Sequence, residues 1–150
     1  MRYTLIDMRD HLRADLLERE TVEETEEFLT AVKEAGLQHP SCRILICVCS
    51  PQAMFRVERY HASTFLDELA ARPWFKVALA SKHFEVRLVH QYIELLASLR
   101  RADLRSFADE HAAIEWLTTP NVPSVTIAGQ RRARSGFDPD GASGSERRDR

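Results

Sequence analysis

The sequence predicts an α/β fold, with a mixed sheet of about five strands and about four helices. Residues 44–49 and 75–80 are continuously apolar, which is typical of central strands covered on both faces. An amphipathic segment of about 18 residues, 83–100, separates run 75–80 from the strand-like run 103–107. Parallel neighbours need such a crossover helix, so the predicted order of elements is β-β-α-β-α-β-α-β-α.

The first three elements follow from local signals. Residues 3–8 and 12–17 have the pattern of two strands joined by a turn, although the second could instead open a helix. Thr21 and Glu24 have the spacing of a capping box, which predicts that the first helix begins there. Gly36 would be the C′ residue that ends it.

The remaining elements are placed by their expected caps. Ser50 and Pro51 fit the N-cap and first position of a second helix that runs to about Arg72. Asp109 is expected to cap the last helix. The adjacent parallel strands should bury a common set of side chains: Ile44, Ile46, Val77, Leu79 and Leu104.

Composition excludes several classes of protein. With 150 residues, 44% of them hydrophobic and 29% charged, the chain suits a single soluble domain. A net charge of -2 gives no reason to expect a nucleic-acid partner. The longest apolar run, 44–49, is too short to be a transmembrane segment, and the start lacks a signal-peptide pattern.

The cysteines indicate the compartment. Cys42, Cys47 and Cys49 are an odd number within eight residues, which argues against a disulfide framework and for a reducing setting. We interpret that setting as the bacterial cytoplasm. The three thiols are too few for a metal site, so neither a metal nor another cofactor is expected. Core packing is the default role, and a reactive Cys49 with a lowered thiol pKa is the alternative.

The chain divides into three segments. Residues 1–118 are periodic and apolar and should form the folded domain, and residues 119–130 an extended connector or edge strand. Residues 131–150 contain six arginines, four acidic residues and a single large apolar residue, Phe137. Such a segment cannot bury enough apolar surface to offset the entropy of ordering, so it is predicted to be a disordered tail.

The predicted order β-β-α-β-α-β-α-β-α is accompanied by two motifs, KVALASKHFEV from residue 76 and DLRSFADEHAAIEWL from residue 103. Together they resemble the STAS-like fold of anti-sigma-factor antagonists and of the related SEC14-type lipid-binding domains. The resemblance covers residues 1 to about 118. It implies a regulatory protein-interaction module that binds a protein partner, such as a regulator, or forms a homo-oligomer. The SEC14 relationship implies an alternative, a module that binds a lipid or another small molecule.

One motif of the family is missing. Anti-sigma-factor antagonists carry an Asp-Ser-Ser-Gly-type turn with a phosphorylated serine, whereas this chain reads Cys-Ser-Pro-Gln from residue 49. Ser50 is the only hydroxyl there, so it is the candidate phosphosite, with N-capping as the simpler role.

The candidate functional surface follows from the strand order. Ligands and partners of open α/β sheets meet the carboxyl ends of the parallel strands. We therefore predict one exposed edge, near the start of the second helix, that could hold a small anion or a phosphoserine. Its residues are Cys49, Ser50, Ser81, Lys82 and His83. No nucleophile pairs with a base in the sequence, so an enzyme is not predicted.

Overall fold

The computed structural model describes residues 1–53 and 55–120, without the side chains of residues 55–61. The predicted α/β class is confirmed, and the described residues form five strands and four helices in the predicted order. The strands are β1 (Arg2–Asp7), β2 (Leu12–Glu18), β3 (Arg43–Val48), β4 (Lys76–Ala80) and β5 (Leu104–Phe107). The helices are α1 (Val22–Gln38), α2 (Phe55–Ala70), α3 (Phe84–Arg100) and α4 (Glu110–Thr118).

The five strands form one mixed sheet whose spatial order is the order of the chain, β1-β2-β3-β4-β5. β1 is antiparallel to β2, and every later neighbour is parallel. The register places Ile44 beside Val77, and Val77 beside Leu104. The four parallel strands, β2 to β5, therefore end at the same edge of the sheet.

The helices divide unequally between the two faces of the sheet. α1, α2 and α3 pack on one face, where Phe28, Leu66 and Val86 meet alternate residues of the strands. α4 packs on the other, where Ala113 and Leu117 meet the intervening strand residues. We call these the three-helix face and the α4 face.

The predicted strand core is confirmed. The exposed fractions of its five members, in chain order, are 1%, 2%, 0%, 6% and 4%. The members are Ile44, Ile46, Val77, Leu79 and Leu104. All five belong to the three-helix face, because residues two apart in a strand point the same way.

The cap predictions had mixed outcomes. Thr21 and Glu24 form the predicted capping box, and the Asp109 side chain accepts a hydrogen bond from the backbone N–H of Ala112. Gly36 was predicted wrongly as the end of α1, which continues to Gln38. Its role is steric: an added Cβ would lie 2.5 Å from Cδ1 of Ile44, so only glycine lets the helix approach β3 this closely.

The second helix also begins later than predicted. α2 starts at Phe55, so Ser50 and Pro51 lie in the preceding loop and are not its N-cap and first residue. The Ser50 hydroxyl instead accepts a hydrogen bond from the backbone N–H of Gln52, at 3.4 Å. A side-chain bond to a backbone two residues on stabilises a turn, so this serine shapes the loop.

The chain divides into two units, Met1–Pro120 and Asn121–Arg150, and the description here concerns the first. After α4, Thr119 serves as its C-cap. The predicted connector beyond residue 120 and the predicted disordered tail, 131–150, lie outside the described residues. Among the residues described, no helix is both long enough and apolar enough to cross a bilayer.

Candidate functional site

A groove of about 710 Å³ lies where β3 and β4 end and where α3 and α4 begin. We call it the edge groove. It combines the carboxyl ends of parallel strands with His83, the N-cap residue of α3, and with residues from the first turn of α4. Its lining is mostly polar or sulfur-containing apart from a few alanines and aliphatic residues: Arg13, Cys47, Val48, Cys49, Ala80, Ser81, Lys82, His83, Ala108, Asp109, Glu110, His111 and Ile114.

Four of the five predicted surface residues line this groove: Cys49, Ser81, Lys82 and His83. The fifth, Ser50, is buried with 4% of its surface exposed, and it is not part of the lining. The groove also lies at the starts of α3 and α4, whereas the sequence pointed to the start of α2. The four residues lie together because they follow neighbouring parallel strands. Their predicted position at the start of α2 is not observed, because that helix begins later than expected.

Hydrogen bonds between side chains and the backbone hold the loops around the groove. The buried Ser81 hydroxyl donates to the carbonyl of Val48 at 2.8 Å and accepts from the backbone N–H of His83 at 3.2 Å. The His83 Nε2 lies 3.0 Å from the carbonyl of Cys49, and it must donate because a carbonyl only accepts. The ends of β3 and β4 and the start of α3 are thereby joined.

A charge cluster forms one wall of the groove. Arg13 on β2 donates from Nε to both carboxylate oxygens of Asp15, at 2.9 and 3.0 Å. Its two terminal nitrogens bind the carboxylate of Glu110 on α4, one of them at 3.2 Å. The Glu110 hydrogen bond raises the pKa of Arg13, and the guanidinium in turn lowers the pKa of Glu110. The cation is thus largely neutralised.

The thiols of the groove have the opposite character to a reactive cysteine. Burial raises the pKa of the Cys47 thiol to about 12 and also raises the pKa of the Cys49 thiol. The Cys47 Sγ lies 3.9 Å from a carboxylate oxygen of Glu110, and a nearby anion disfavours a thiolate further. The expected lowering of the Cys49 pKa is therefore wrong, and the thiol itself is exposed.

The metal-binding potential of the described residues is low. Within residues 1–53 and 55–120, no group of three or more His, Cys, Asp or Glu side chains is arranged to hold a metal ion. Cys42 and Cys47 are free thiols, like Cys49.

A second feature, which the sequence interpretation missed, adjoins the edge groove. Five large apolar side chains on the outer side of α3 are exposed, with exposed fractions from 42% to 73%. We call them the α3 stripe: Phe84, Leu88, Tyr92, Leu95 and Leu99. The stripe starts at the residue after His83. The sequence contains a signal for the stripe, because apolar residues occur on two sides of α3. A helix that packs against a core through one side only would be apolar on that side alone.

The inner side of α3 borders a small cavity. The space between the three-helix face and its helices holds about 60 Å³ and is lined by His90, Arg19 and aliphatic side chains. His90 is 4% exposed, and burial lowers its pKa to about 4. The ring is therefore neutral at physiological pH.

Comparison with protein-family models, with curated proteins and with solved structures gave no match. The function must therefore be argued from the residues themselves.

Proposed function

We propose that this chain is a non-catalytic protein-interaction module of the STAS-like regulatory kind, which docks a protein through the α3 stripe. The exposure of the stripe carries the proposal. Its five side chains occupy one side of a single helix, with Leu99 at 73% and Phe84 at 64% exposed. The resemblance of residues 1–118 to STAS-like proteins supports the same class, since those act by protein contact.

The size of the stripe supports docking. Large aromatic side chains bury about 150–250 Å² each, so the five partly exposed residues present on the order of 500 Å² of apolar surface. Patches of that size on a monomer are often functional. The energetic reason is that apolar surface is stabilised by about 25 cal/mol per Å² when it leaves water.

A ligand bound in the edge groove would modulate docking of the partner. Lys82 and His83 precede Phe84 directly, so a ligand in the groove touches the same loop that starts the stripe. The buried Ser50 hydroxyl is a poor target for a kinase, because phosphorylation would require the loop to open. The proposal therefore places recognition on α3 and does not depend on phosphorylation of Ser50.

The test is a pull-down from source lysate with wild-type protein and a Leu95→Glu variant. A carboxylate in the middle of the stripe should abolish capture, because docking would bury it without a partner. The matched control is Leu37→Glu, which alters a leucine on α1 that is 46% exposed. Equal capture by wild type and Leu95→Glu, with both folded by circular dichroism, would refute docking through the stripe.

A second candidate function is supported by the volume of the edge groove. Small-molecule sites have volumes of about 300–1,000 Å³, and the groove offers about 710 Å³. The 60 Å³ cavity inside the three-helix face is too small for a lipid tail by the same measure. The alternative is therefore a polar small molecule at the edge. Native mass spectrometry tests it: a co-purified small mass lost in Arg13→Ala would favour this function.

A further inference from the structure

We propose that the occupant of the α3 stripe is a second copy of this chain, bound as an antiparallel two-fold dimer through α3. The inference rests on the proposed function, since it names the protein that the stripe docks. It follows from the spacing, the area and the side-chain chemistry of the stripe.

The stripe is straight and narrow. Its residues are separated by four, four, three and four positions. At 3.6 residues per turn, they fall within about 80° of the helix circumference and extend over about 22 Å. Two stripes of this shape can pack side by side along their whole length, as in helix–helix seams.

The spacing is also symmetric about its centre. Residues 84 and 99 are equally distant from the midpoint between residues 91 and 92, and so are residues 88 and 95. A two-fold axis through that midpoint places Phe84 level with Leu99 of the second copy and Leu88 level with Leu95. Tyr92 then lies level with Gln91, whose side chain is also exposed. A parallel pair would instead set each residue against itself, which requires no such symmetry.

The area of the stripe approaches the size of a stable interface. With on the order of 500 Å² from each copy, complete burial of the five side chains would remove about 1,000 Å² from water in total. Stable, specific interfaces bury about 1,200–2,000 Å². Residues that border the stripe would supply the difference.

The charges permit this arrangement. The stripe contains no charged residue, and the charges beside it are Glu85 and Arg87, whose guanidinium lies 5.8 Å from the centre of the Phe84 ring. In the antiparallel pair Glu85 lies level with Ser98 of the second copy, so two carboxylates are not brought together. Arg100, near the other end, already binds Asp67 and Ser63 within its own chain.

Sedimentation of the full chain over a concentration series tests the proposal. Wild-type protein should be a dimer. Leu88→Glu and Leu95→Lys should each weaken association by about a hundredfold or more, because every dimer would bury two unpaired charges. Leu37→Glu is the control that leaves the dimer intact. Mixing Leu88→Glu with Leu95→Lys should restore a heterodimer, since the two introduced charges then lie level.

A matched mixture tests the direction of the helices. Leu88→Glu mixed with Leu88→Lys pairs the introduced charges in a parallel dimer and should fail to associate in an antiparallel one. Association of that mixture, and not of the first, would overturn the antiparallel arrangement. Wild-type dimers that survive both single substitutions would place the interface elsewhere and overturn the proposal.

A monomeric wild type would also overturn it. The lysate pull-down then separates the two proposals. Loss of a captured protein in Leu95→Glu would leave docking through the stripe standing with a different partner, whereas unchanged capture would refute both.

Discussion

The two faces of the sheet use the same strands to build different surfaces. The three-helix face buries large aliphatic and aromatic side chains such as Leu16, Phe28 and Leu79. The α4 face buries mainly small ones from the strands, among them Cys47, Ala78 and Ala80. Beside α4 the second face remains polar, with Arg13 and Asp15 half-buried.

The difference shows how one sheet can be covered on one face and left partly open on the other. Three helices over one face remove it from water and supply most of the hydrophobic core. A single nine-residue helix over the other face leaves a boundary, and the edge groove lies along that boundary. This division is possible because successive side chains along a strand point to opposite faces of the sheet.

The largest expected effect is the loss of a core side chain on the three-helix face. Leu79→Ala should reduce the free energy of unfolding by about 2–5 kcal/mol, because it removes a buried side chain and enlarges the small cavity that Leu79 already borders. Cys47→Ala on the α4 face should cost only about 1 kcal/mol, because it removes a single sulfur atom. Urea titration measures both. Equal losses, or a loss below about 1 kcal/mol for Leu79→Ala, would contradict the contrast between the faces.

The second prediction uses pH. His90, on the inner side of α3, has a folded pKa of about 4, whereas an unfolded histidine titrates near its ordinary value of 6.5. Between those values the unfolded chain binds more protons, so stability should fall as pH is lowered from about 6.5 to 4, by up to about 3 kcal/mol. Stability curves of wild type and His90→Leu should therefore diverge over this window.

The α4 face should respond at lower pH. The pKa of Glu110 is lowered by Arg13, so the stability that the Glu110 carboxylate contributes is present above the ordinary carboxyl pKa and is lost only as pH falls through the lowered value.

The His90 prediction has a clear contrary outcome. Parallel pH profiles for wild type and His90→Leu between pH 4 and about 6.5 would show that His90 is not the titrating group.

The third prediction concerns the contact between α1 and β3. Gly36→Ala should destabilise the protein by about 1 kcal/mol, because overpacking against Ile44 outweighs the better helix propensity of alanine. In an Ile44→Val background, which lacks the Cδ1 atom, the same substitution should be neutral or stabilising. A double-mutant cycle measures the coupling. Additive effects would show that the close approach to Ile44 does not require glycine.

The smallest expected effect is on the α4 face. Glu110→Gln should cost about 0.5–1 kcal/mol, because it weakens a partly exposed ion pair and removes a favourable charge from the first turn of α4. Glu115→Gln, near the end of the same helix, should be neutral or slightly stabilising. The difference between the two variants should shrink in added salt. A loss above about 3 kcal/mol for Glu110→Gln would mean that the cluster is a core element.

The sequence was most informative where one local pattern had one physical meaning. Continuous apolar runs identified β3 and β4, and the Thr21–Glu24 spacing identified the start of α1. Gly36 and Ser50 were misjudged because both have common local roles, as helix end and helix cap, that tertiary packing overrode. The contact of Gly36 with Ile44 joins two elements and has no local signature.

The edge groove was predictable in part for the same reason. Residues that directly follow neighbouring parallel strands must converge, and this rule alone located Cys49, Ser81, Lys82 and His83. The sequence interpretation missed Arg13 and Glu110, because they are 97 positions apart and meet only when α4 packs on the opposite face of the sheet. The rest of the groove thus depends on helix placement, which residue patterns do not specify.

The sequential order of the strands has a consequence for how the chain folds. Each strand pairs with the one made just before it, so the sheet can grow from the amino terminus as the chain leaves the ribosome. Pairings of this kind close loops of modest length, which favours rapid folding. The ion pair between Arg13 and Glu110 joins elements that are distant in the chain, so it can form only after the last helix has been made. We therefore expect the backbone amides of β2 around Arg13 to become protected from hydrogen exchange last, when folding is complete. The three-helix face should form before that.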